Sequence, residues 1–210
     1  MDIGQREVLK EQLKAMIAGR GDGICLDSAD RCSITGVRDS VAFFQNLPLL
    51  IPEDSVLCFE GIDVVPAMAV FCEAHRAGDG AVCVARETVY PIPEMFHVQL
   101  GLDAIKELAE LLGRNAQQRC FLHVKAYRQA RLLLHFHDAF DGSDLLASGD
   151  IPAERVQLFC DSLGVTHRRE PNESKSGTEA LSALLRAMEN PEKVRILWPW
   201  WKRALLFWKR

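Results

Sequence analysis

The sequence predicts an α+β protein, in which a mixed or antiparallel sheet is packed with helices. Three observations predict it. Between residues 55 and 138, short apolar runs of strand length alternate with runs of helical period. Two of those runs, RCFLHVKAY (119–127) and RLLLHFHD (131–138), lie close together and alternate apolar with polar side chains, as hairpin strands do. A chain of 210 residues with 48% hydrophobic and 26% charged residues can bury one sizeable core and carry a small appendage.

In chain order, residues 5–18 predict an amphipathic helix, with Val8, Leu9, Leu13, Met16 and Ile17 near helical spacing and glycines 19, 21 and 23 stopping it. Residues 24–36 are polar without a clear period. A short helix is expected over 37–46, followed by a connection bracketed by Pro48 and Pro52. SVLCFEG (55–61) predicts a buried strand, and Asp63 is placed to cap a helix over 64–77. AVCVARE (81–87) and EMFHVQL (94–100) predict two more strands. Residues 102–114 form a helix with Leu102, Ile105, Leu108, Ala109, Leu111 and Leu112 on its buried side, and the hairpin follows. From the first strand onward this order is β-α-β-β-α-β plus one added strand, which resembles the ferredoxin-like split βαβ unit. A helix over 153–163 stops at Gly164. The main domain is thus expected over 1–165, a polar linker over 166–178 (THRREPNESKSGT), and a helical extension over 179–210 that packs on the domain or on a partner.

Charge and cysteine usage bound the function. Net charge is −4, yet Lys193, Arg195, Lys202, Arg203, Lys209 and Arg210 stand at the end with no acid among them. Residues 1–192 are correspondingly acidic, which argues against a nucleic-acid partner. The seven cysteines form no CxxC pair and mostly sit in apolar runs, so a cytoplasmic protein with free thiols is expected. The N-terminus interrupts its apolar residues with charge, unlike a signal peptide, and no apolar run reaches spanning length.

The hairpin carries the candidate chemistry. Strand alternation places Leu122, Val124 and Ala126 on one face with Leu132, Leu134 and Phe136, which leaves His123, Lys125 and Tyr127 on the other face with His135 and His137. On 94–100 the same alternation sets His97 and Gln99 apart from Phe96, Val98 and Leu100. An H-x-H on one strand with a histidine across from it suits zinc or another divalent transition metal. Three neutral imidazoles leave a position for an activated water, and Asp138 or Asp141 can add a carboxylate. The expected metal set is therefore His123, His135, His137 and Asp138. Against it stand the ordinary polarity of a half-solvated sheet face and the cation of Lys125.

Other patterns fail on spacing. The aspartates of 138–150 recur every third residue, not at the alternate positions of a calcium loop. Gly19, Gly21 and Gly23 lack the lysine of a phosphate loop. Cys72 and His75, three apart on a helix, fit a core cysteine better than a nucleophile. Glu60 and Asp63 could form a carboxylate pair, but nothing in the sequence specifies a partner for Glu60.

All four tryptophans, Trp198, Trp200, Trp201 and Trp208, fall in the last thirteen residues. On a helical wheel Trp200, Trp201, Leu205, Phe207 and Trp208 oppose Lys202 and Arg203, the composition of a segment that docks on its own domain, a second copy, a protein groove or a membrane surface. The leading expectation is an interaction domain, without a cofactor, that uses this segment and self-associates or binds a protein partner. Peripheral membrane contact is the lesser variant. The alternative is a metal-dependent hydrolase built on the histidine face.

Overall fold

The computed structural model describes residues 23–61, 66–78, 82–88, 94–116 and 120–172. Seven strands lie in one sheet: β1 (Asp30–Thr35), β2 (Val56–Glu60), β3 (Met95–Gln99), β4 (His123–Arg128), β5 (Arg131–Phe136), β6 (Leu145–Ser148) and β7 (Thr166–Pro171). Their order is β3-β2-β4-β5-β6-β1-β7, and every neighbouring pair is antiparallel. Four helices complete the described fold: α1 (Ser40–Leu50), α2 (Pro66–Ala74), α3 (Leu102–Arg114) and α4 (Ala153–Leu163). This is the α+β class.

The helices follow from local rules. Asp39 caps α1 by accepting a hydrogen bond from the Ala42 N–H at 2.9 Å. Pro48 lies inside the last turn of α1, and the carbonyls freed near that end are taken up by Arg155, which donates to Pro48, Leu49 and Ile51. In α3 the buried residues Ala104, Ile105, Leu108, Ala109 and Leu112 keep the helical period read from the sequence. Gly164, left-handed at φ 64°, ends α4. α1 packs against both α3 and α4 on one face of the sheet. There Phe43 and Phe44 contact each other and Phe59, Phe121, Phe136, Phe140 and Phe159, with ring centroids 4.9–6.3 Å apart. The opposite face is covered in part by residues 24–26 and 82–84, around Cys58, Tyr127 and Leu132.

Several expectations need correction. Of 81–87, the described residues form no sheet strand; Val84 makes an isolated parallel bridge to Ile24. Three strands of the expected ferredoxin-like unit are adjacent as β3-β2-β4, but the fourth has no counterpart among the described residues. The polar stretch 24–36 contains β1, whose Cys32 and Ile34 enter the core while Ser33 donates to Asp144 on the other face. The loop 138–150 contains β6. The linker expected from residue 166 begins instead with β7, an edge strand whose apolar period is absent because its charged side chains pair laterally, Arg31 and Arg168 with Glu170 and Arg169 with Asp30. Leu132 does not share the face of Leu134: the register shifts beside Ala126, Tyr127 pairs with Leu132, and Leu133 is the extra residue. The expected helix over 5–18, the Asp63 cap and the whole segment from 173 onward, with Trp200, Trp201, Lys202, Arg203, Leu205, Phe207 and Trp208, lie outside the described residues.

Candidate metal centre

The register places four polar or ionisable side chains of β2 and β4 side by side. Glu60 pairs with His123 and Cys58 with Lys125, while Lys125 pairs in turn with His135. Because alternate residues share a face, Glu60, His123, Lys125 and His135 all point away from the aromatic core. His137, just beyond β5, stacks on His123 with ring centroids 4.4 Å apart and planes at 10°. His97 is on this face too, across from Cys58, but it is engaged by the Tyr127 hydroxyl at 2.9 Å and stands apart from the cluster.

Glu60 is fully buried. Its carboxylate accepts hydrogen bonds from the backbone N–H groups of Glu87 (3.0 and 3.1 Å) and Thr88 (2.7 Å), and the Lys125 ammonium sits 3.2 Å away. Burial alone pushes this carboxyl up. The Lys125 charge and the two backbone donors outweigh it and hold the group below the usual range. Lys125 is also buried; it donates to the Ala85 carbonyl and lies 3.4 Å from Glu87 Oε1. The strand's end is equally constrained: Gly61 is left-handed at φ 67°, and a Cβ there would come within 2.6 Å of the Leu122 side chain.

Glu87 then meets two histidines. Its Oε1 is 3.4 Å from His135 Nε2 and its Oε2 is 4.0 Å from His137 Nδ1. One ligand atom from each of Glu87, His135 and His137 can be chosen so that all lie within 4.8 Å of one another. His135 Nε2 is buried and makes no hydrogen bond. Burial first, then the charges of Lys125 and the neighbouring histidines, push the His135 imidazole down to about 3, so the ring is neutral. A neutral imidazole carries its one proton on either nitrogen; with that proton on Nδ1, the Nε2 lone pair beside the Glu87 carboxylate is a ligand atom free to bind a metal ion. At the 2.0–2.2 Å bond lengths of tetrahedral zinc, neighbouring ligand atoms stand about 3.3 Å apart, close to the His135–Glu87 separation.

A second group, His123, His137 and Asp138, also lies within 4.8 Å. Its geometry is less suited. The His123 Nδ1 accepts a hydrogen bond from the Asp138 N–H at 3.0 Å, so the ring proton is on Nε2, which donates to Thr88 Oγ1 at 3.1 Å. Both nitrogens of His123 are thereby used. Imidazole lone pairs lie in the ring plane, so parallel stacked rings cannot both aim at one ion, whereas His135 and His137 cross at 75°. Asp138 instead faces the far nitrogen of His137, with Oδ2 3.3 Å from Nε2, as a carboxylate orients a ligating histidine. The structure places the four residues expected as one metal set near one another but divides them: His135 and His137 group with Glu87, and His123 and Asp138 group with His137. It adds Glu87 and Glu60, which sequence reasoning missed as partners.

The loop that carries His137 and Asp138 is strained and anchored. Asp138 and Phe140 both adopt positive φ, 43° and 70°. Phe140 packs against Phe43, Phe121 and Phe136, and the Ala139 N–H donates to the Leu122 carbonyl at 2.8 Å. These contacts hold the loop in a conformation that neither residue prefers.

Elsewhere, a cavity of about 200 Å³ between α2 and β3 is lined by Cys72, Arg76, Ala77, Glu94, Met95, Phe96 and His97. Burial pushes the Cys72 thiol up to about 12, and His75 is bound to Glu107 at 2.7 Å. Cys72 is therefore a core residue, not an activated thiol. Among the described residues no helix is long and apolar enough to cross a membrane. Comparison of the chain with protein-family models, with curated proteins and with solved structures returns no match.

Proposed function

We propose that this chain binds a divalent transition metal, zinc foremost, through Glu87, His135 and His137, and that it is a metal-dependent hydrolase. The observation that carries this reading is the buried His135 Nε2 atom, which has no hydrogen bond and faces the Glu87 carboxylate at 3.4 Å. Three protein ligands leave a coordination position for water, whose acidity the ion raises towards neutrality. His137 is half-exposed, so that position is reachable from solvent. Elemental analysis of tag-free protein tests the reading: one zinc, manganese or iron per chain is expected, lost on His135→Gln. Metal-free protein that takes up none of these ions defeats it. Metal-dependent hydrolysis of activated ester or phosphoester substrates, abolished by Glu87→Gln, tests the catalytic step.

A second reading rests on the tail. The clustering of every tryptophan beside six cations in residues 193–210 favours a docking segment for a second copy or a protein partner, and less strongly for an anionic membrane surface. Tryptophan emission reports this segment alone. Blue-shifted emission without lipid marks packing on protein, and a blue shift only on anionic vesicles marks membrane contact. Red-shifted emission unchanged by vesicles marks an exposed segment available to a separate protein.

A further inference from the structure

We infer that Glu60 is a positioning residue of the metal centre: its buried carboxylate clamps the backbone at 87–88 so that the Glu87 side chain is presented to His135 and His137. This rests on the metal reading above. The segment 82–88 has no ladder with the sheet, so something other than strand pairing must set where Glu87 stands. Upstream it is held by Ile24, whose N–H donates to Cys83 and whose carbonyl accepts from Ala85, at 2.9 and 3.0 Å. At its other end the anchoring comes from side chains. One Glu60 oxygen receives both the Glu87 and the Thr88 N–H, its other oxygen also receives Glu87, and Lys125 ties the same carboxylate to the Ala85 carbonyl.

Two consequences reach the histidines. Glu87, fixed at its backbone, meets His135 and His137; Thr88, fixed beside it, accepts from His123 Nε2, which keeps the His123 Nδ1 lone pair on the Asp138 N–H. Glu60 itself touches neither nitrogen expected to ligate. An amide at position 60 retains one acceptor oxygen, but its NH₂ would face the backbone N–H groups and the Lys125 ammonium, none of which can accept.

The test uses the full chain, stripped with a chelator and titrated with Co(II), whose visible spectrum reports ligand number and geometry, and then with Zn(II) in competition. Wild type should bind one ion, Glu87→Gln should lose the spectrum, and Glu60→Gln should bind about 10–100-fold more weakly, the usual cost of removing an outer partner of a metal site, with an altered spectrum. Because Glu60→Gln leaves the buried Lys125 without the Glu60 charge, Glu60→Met/Lys125→Met is the second variant. It removes both charges, keeps volume, and should show the same weakening in a folded chain. Wild-type affinity and spectrum in either folded variant overturn the inference while leaving the metal reading intact. Absence of Co(II) binding by wild type overturns both.

Discussion

Replacing Lys125 by methionine tests the buried charge network directly. The side chains of Lys125 and Glu60 are 2% and 0% exposed, with Nζ 3.2 Å from Oε2. Methionine keeps much of the lysine stem's volume but removes the ammonium, leaving an ionised carboxylate out of water with only backbone donors. Removing one partner of a buried pair costs about 3–5 kcal/mol, a large part of the roughly 5–15 kcal/mol that holds a domain folded. At about 2–4 °C per kcal/mol for a unit of this size, melting should fall by roughly 6–20 °C. Urea unfolding at pH 7.5 measures it as a lower midpoint at unchanged slope. Glu60→Met/Lys125→Met should recover most of the loss, since an apolar pair of similar volume leaves no charge to solvate. The pH response carries the sign. In wild type the Glu60 carboxyl is held below its ordinary 4.5, so its stabilisation is complete above that pH and is lost as pH falls through the folded value. In Lys125→Met the main lowering influence is gone and burial raises the group, so mild acidification should restore part of the lost stability. A Lys125→Met loss below about 1 kcal/mol, or a double variant no more stable than the single, would show that the pair is not the buried, mutually dependent unit described.

Phe43, fully buried and in ring contact with Phe44, Phe136, Phe140 and Phe159, should cost about 3–5 kcal/mol as alanine, read from denaturant midpoints; a smaller change would mean the aromatic cluster readily collapses around the gap. Gly149→Ala places a Cβ 2.5 Å from the Asp30 carbonyl oxygen and should destabilise by about 1–3 kcal/mol through the β1–β6 junction. Gly113→Ala, inside α3 with nothing near its Cβ, should instead stabilise by about 0.5–1 kcal/mol. Thiol labelling of native protein at pH 8 should modify Cys25 and Cys83 quickly and the five buried cysteines only on unfolding, Cys58 and Cys72 being held at about 12 by burial. Fewer than seven free thiols in fresh denatured, non-reduced protein would contradict this.

Much of the fold is legible in the sequence because periodicity and end signals are local. The stripe of Ile105, Leu108 and Leu112 marks α3, Gly164 stops α4, and the alternation in HVKAYR and RLLLHF marks both hairpin strands and puts His123 on the face of His135. Strands with weak local signals are not legible. β1 offers only Cys32 and Ile34, and β7 spends its alternation on arginines and glutamate because it lies at the sheet edge. Leu132 turned to the other face because one inserted residue reverses every side chain beyond it, and no nearby composition announces that bulge.

The candidate centre divides in the same way. By itself the sequence determined that three histidines and Asp138 would gather at one end of the hairpin, since strand period and a short turn suffice for that. It also determined that the tryptophans and six cations would stand together at the end of the chain. Only tertiary structure decided that Glu60 would be buried against Lys125, 65 positions away, that it would hold the backbone of Glu87, 27 positions away, and that Glu87 would face His135. Those meetings depend on which strands neighbour one another and on where an unpaired segment crosses the sheet. Both are set by the packing of the whole core, and no local period encodes them.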